Sequence, residues 1–89
     1  MYSHKHIVVR NNSSLTLSNL LTCYEGVKII VEDGSSLIVD GGTVENVILP
    51  PHVGSTITLK NDGHIMHNGT TPFYLPRGAL LFNIFGKIE

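Results

Sequence analysis

Apolar residues recur at every second position in short bursts, and each burst ends near a glycine or an asparagine. Taking Asn12, Gly34, Gly54 and Gly78 as anchors brings the bursts into phase, and each anchor precedes a small residue, Ser13, Ser35, Ser55 or Ala79. Five and three positions before the anchors stand Ile7 and Val9, Ile29 and Val31, Leu49 and Pro51, Phe73 and Leu75. Three and five positions after them stand Leu15 and Leu17, Leu37 and Val39, Ile57 and Leu59, Leu81 and Asn83. Alternation with a period of two on both sides of a fixed point predicts two short strands meeting at a corner, each turning one face inward. Glycine and asparagine tolerate the left-handed backbone that so tight a corner needs.

A second corner follows the first. Asn19-Leu20-Leu21, Gly42-Thr43-Val44, Gly63-His64-Ile65 and Gly86-Lys87-Ile88 share the form glycine or asparagine, any residue, apolar residue. Two corners and three short strands per repeat describe one winding of a coil. The anchors lie 22, 20 and 24 residues apart, and the slack falls on the third side, where residues 66–72 (MHNGTTP) read as a bulging loop. The competing reading is a small sandwich of hairpins, for which "NDG" and "DGG" supply local turn signals. The in-phase repeat favours the coil.

The expected fold is therefore all-β: a single-stranded, right-handed parallel β-helix of about four coils, with three short strands per coil, forming one domain over residues 1–89. The right hand follows from the near-universal sense of parallel crossovers. In such a stack Leu15, Leu37, Ile57 and Leu81 form one internal ladder, with Leu17, Val39 and Leu59 beside it, while Ser14, Thr16, Ser36, Thr58 and Lys60 face out. Both ends, "HIVVR" and "LLFNIFGKIE", are apolar and strand-like where a solenoid usually carries a polar cap. The expected partners are a second copy meeting an open end, or flanking domains of a longer protein.

Within this pattern, "VKIIVEDGSSLIVDGGTVEN" (27–46) resembles the repeats of right-handed parallel β-helix segments in bacterial secreted and surface proteins. The match is close over these residues and looser elsewhere. Pro50-Pro51 in a strand side and Asn83 in an interior slot depart from the pattern. The resemblance implies a spacer or scaffold segment beside adhesive or catalytic domains, located at the cell surface or outside the cell.

Composition narrows the function classes. Six Lys and Arg against seven Asp and Glu give a net charge of −1, which argues against nucleic-acid binding. No apolar run is long enough to span a bilayer, and the N-terminal residues lack the apolar core of a signal peptide. Cys23 is the single cysteine and reads as small buried filler.

The candidate chemistries are sparse. His4 and His6 would share a strand face, but no Cys, Asp or Glu cluster completes a metal set around them or around His64 and His67. Asp33, Asp40 and Asp62 lie near glycines, where turn chemistry explains them without calcium. Glu25, Glu32, Asp40, Glu45 and Asp62 show no paired-carboxylate arrangement for glycoside cleavage, so no enzyme, metal or cofactor is expected. Threonines do not form an unbroken outer row, because Ile38 interrupts Thr16 and Thr58. Among the aromatics, Phe73 is assigned inward and Tyr74 outward, making Tyr74 the candidate for stacking on a sugar ring. The leading expectation is a non-catalytic spacer or assembly module. A carbohydrate-binding or adhesive module is the alternative, and an end-to-end polymerising cytoplasmic scaffold the third.

Overall fold

The computed structural model describes residues 1–49 and 52–67 in full, and the strands 80–83 and 87–88 by their backbone. The alternating bursts become strands: β1 (Tyr2–Ser3), β2 (Ile7–Val9), β3 (Ser14–Leu17), β4 (Leu20–Cys23), β5 (Ile29–Val31), β6 (Ser36–Asp40), β7 (Thr43–Val47), β8 (Thr56–Lys60), β9 (His64–His67), β10 (Leu80–Asn83) and β11 (Lys87–Ile88). No helix occurs among the described residues. Among the described residues every strand pairing is parallel. Strands adjacent in sequence belong to different sheets, so "DGG" (40–42) and "NDG" (61–63) turn corners between walls and close no hairpin.

Three walls result. One has the order β1-β4-β7-β9-β11, the second β10-β8-β6-β3, and the third pairs β2 with β5. An isolated bridge from Lys28 to Ile48 continues the third wall by one level. The chain is a parallel β-solenoid of about three turns. The expectation of about four coils is corrected to that number, because a full winding needs all three sides. Among the described residues the third wall is paired at three levels: β2, β5 and Ile48. The sides expected at Phe73 and Leu75, and the corners at Gly78 and Gly86, lie outside the described residues, as do Pro50 and Pro51.

Stacking brings like residues level with one another. Leu15 is level with Leu37, Leu37 with Ile57, and Ile57 with Leu81; Leu17, Val39, Leu59 and Asn83 form the adjacent column. Ile7 pairs with Ile29 and Val9 with Val31. Ile29, Val31, Leu37, Val39, Ile57 and Leu59 are all fully buried, and Leu49 nearly so. Each such side chain contributes roughly 1.5–3 kcal/mol by leaving water. The opposite wall adds a ladder absent from the predicted core: Leu21, Val44 and Ile65, with Cys23, Val27 and Val47 completing the cluster. Ile7, Leu15 and Leu17 are only half-buried, since among the described residues no strand pairs with the outer edge of β2 or β3.

The corners use glycine for two different reasons. At the first corner Asn12, Gly34 and Gly54 have φ of 58°, 80° and 82°. Gly34 donates its N–H to the carbonyl of Gly54 at 3.0 Å, and a Cβ on Gly34 would overlap the Asn12 side-chain oxygen. At the second corner the left-handed residues are Gly41, Asn61 and Asp62, which precede the predicted positions. Gly63 has ordinary φ but is confined by space: a Cβ there would drive into the Val39 carbonyl oxygen. Gly42 is confined in the same way by the backbone of Ser18 and Asn19. A third corner, not expected from sequence, turns at Gly26 in one winding and at Asn46 in the next, where β7 bulges.

Candidate interface at the open first coil

Among the described residues β1, β2 and β3 each end their wall, so the first winding carries three strand edges with no described partner. The ladder bonds show which backbone groups are committed. Ile7 N–H donates to Lys28 O (2.9 Å), Glu32 N–H to Val9 O (2.9 Å) and Ser36 N–H to Ser13 O (3.0 Å). Parallel ladders engage alternate residues, so the N–H and C=O groups of Val8, Ser14 and Thr16 point the other way, out of the stack. Between β2 and β3 lies an open depression of about 260 Å³. Its lining includes Ile7, Val9 and Leu15, with Arg10, Ser13 and Ser14 around them. Half-buried aliphatics, unengaged backbone groups and one guanidinium therefore share a single surface.

The other sequence candidates are dispersed. His6 accepts the Lys28 N–H through Nδ1 at 3.0 Å, which requires that nitrogen to be unprotonated. His4 instead stacks on Tyr24, with ring centroids 3.7 Å apart and planes at 21°. The two histidines thus serve different neighbours. Among the described residues no group of three or more His, Cys, Asp or Glu side chains could hold a metal ion. Asp40 lies 3.9 Å from Lys60 and accepts a bond from Asn61 Nδ2 at 2.6 Å. Cys23 is buried, and burial pushes its thiol up. Thr16, Ile38 and Thr58 are level with one another, so the threonine column is interrupted as expected. Tyr74 lies outside the described residues.

One grouping was not read from the sequence. Tyr2 and Tyr24 approach to 6.1 Å between ring centroids, tilted by 53°, with His4 on the second ring. Tyr2 is 68% exposed and Tyr24 47%. The signal was the repeat length itself: a spacing close to 22 residues carries Tyr2 onto the neighbourhood of Tyr24. It was missed because the anchors begin only at Asn12, leaving β1 without a place in the repeat.

These features define a class by architecture, the parallel β-solenoid with an open first winding. Compared with known families, curated proteins and solved structures, the chain matches none of them.

Proposed function

We propose that the chain is a non-catalytic structural module, a spacer or assembly element, whose first winding is a joint to further β-structure. The observation that carries this reading is that the aliphatic ladder runs uninterrupted to a winding that leaves Ile7, Leu15 and Leu17 half in water. A strand laid on that edge would bury them and engage the outward backbone groups of Val8, Ser14 and Thr16. The resemblance of residues 27–46 to bacterial β-helix repeats supports placing the module in a secreted or surface protein.

Sedimentation velocity over a wide concentration range tests the joint. The expected result is a sedimentation coefficient that rises with concentration. Thr16→Pro, which removes one outward N–H from an edge strand, should hold it flat while circular dichroism remains unchanged. A single species at every concentration, unaffected by the substitution, removes the support for self-joining. Filaments in electron micrographs would favour the polymerising variant.

A second reading is favoured by the exposed cluster of Tyr2, His4 and Tyr24, whose rings could stack on sugars in a carbohydrate-binding or adhesive module. A glycan array whose hits disappear with Tyr24→Ala would advance that reading over the first.

A further inference from the structure

The joint has a charge of its own. Through Cys23 the chain carries Lys5 and Arg10 and no acidic side chain, whereas residues 25–47 carry Glu25, Glu32, Asp33, Asp40 and Glu45 against Lys28. A basic first winding thus rests on an acidic second one. The register shows how they meet. Val9 is level with Val31, Glu32 N–H bonds to the Val9 carbonyl at 2.9 Å, and Arg10 follows Val9 as Glu32 follows Val31. Deeper in the stack Asp40 is level with Lys60 and 3.9 Å from it. Opposite charges placed level on neighbouring strands attract, and like charges repel.

On its outer side Arg10 faces no winding among the described residues. It borders the depression floored by Ile7, Val9 and Leu15, with the Ser13 and Ser14 residues beside it. We infer that this end takes up an extended strand of another polypeptide, one with aliphatic residues at alternate positions and a carboxylate immediately beyond them. The chain's own Ile29–Glu32 is the pattern: it holds that relation to the other side of the same winding. The incoming backbone pairs with Val8, Ser14 and Thr16, the aliphatics fill the depression, and the carboxylate meets Arg10. The inference rests on the reading of the first winding as a joint, and names what the joint prefers. A second copy would join the same edge more weakly, so the self-association expected at high protein concentration is its lesser use. Joined head to head, two copies would place Lys5 and Arg10 of both at one interface, and the opposite end of the β1 wall contributes Lys87.

The test titrates the full chain with a labelled peptide copying residues 27–40, and with the same peptide carrying lysine at positions 32 and 33, by fluorescence anisotropy. The acidic peptide should bind and the basic one should not. Its affinity should fall as salt rises from about 0.1 M to about 1 M and the screening length contracts from about 10 Å to about 3 Å. Arg10→Glu should weaken the acidic peptide by about fivefold and admit the basic one. Arg10 is exposed, so the change leaves the core intact; Arg10→Gln, expected to fall between the two, serves as the milder variant. Amide resonances of Val8, Ser14 and Thr16 should shift on binding. If both peptides bind alike, or shifts appear only elsewhere, the inference is overturned. If neither binds while the chain associates with itself more strongly at high salt, the joint stands and its occupant is a second copy. If neither peptide binds and the chain does not self-associate, both readings fall together.

Discussion

Ser35 and Ser55 hold equivalent places, each directly after a left-handed glycine, and both are 1% exposed. Their hydroxyls fare differently. Ser55 Oγ donates to the His52 carbonyl at 2.7 Å, while Ser35 Oγ has no hydrogen-bond partner among the described residues. An unmade bond in a buried site costs more than a made one contributes, so the two alanine variants should diverge. Ser55→Ala should lose about 1 kcal/mol in urea unfolding, and Ser35→Ala should be neutral or stabilising. Equal losses would contradict the difference in their surroundings. His67 gives a pH handle at the same scale. Burial pulls its imidazole below the ordinary range, so the unfolded chain binds the proton more readily than the native one. Its contribution is present above the ordinary imidazole range and is lost as pH falls through the lowered native value. Unfolding midpoints measured through mildly acid pH should therefore decline less steeply for His67→Gln than for the parent; identical slopes would remove the assignment.

At the scale of the strand, the same residue type has a different value at different levels of the ladder. Leu37 lies between Leu15 and Ile57 and is fully buried, so truncation to alanine should cost about 2–5 kcal/mol. Leu15 has a neighbour on one side only and is half-buried, and its alanine variant should cost less than about 2 kcal/mol in the same unfolding assay. Equal costs would mean that the edge is covered in solution. The sequence announced both leucines, because a period of two at a fixed offset from Asn12 and Gly34 leaves one inward face for each strand. It announced the second corner less well. Gly63 stands there for room beside the Val39 carbonyl, and the left-handed turn is made by Asn61 and Asp62 just before it. A crowding requirement imposed by a residue of another winding cannot be read from local spacing. The corners at Gly26 and Asn46 escaped for a related reason: they differ in residue, and one is formed within a bulged strand whose Asn46 Nδ2 reaches the Cys23 carbonyl at 3.0 Å.

For the whole molecule, parallel pairing and three walls were legible because four anchors keep phase over most of the chain. The number of turns was overread, since sequence counts anchors while a winding requires all of its sides. The candidate joint was half legible. An apolar, strand-like stretch at Ile7–Val9 was readable, but the meeting of Arg10 with the depression between β2 and β3 needed the folded geometry. The aromatic grouping of Tyr2, His4 and Tyr24 depended on β1 joining the wall of β4, a pairing that no local motif encodes.

Because Ser14 is level with Ser36, and Ser36 with Thr56, a module of this kind is graduated like a ruler. Its length changes only in steps of one strand spacing, about 4.8 Å. Inserting or deleting a single residue within a strand would turn the inward side chains between the change and the next corner onto the wrong face, whereas copying an entire repeat would add one division and leave the others as they were.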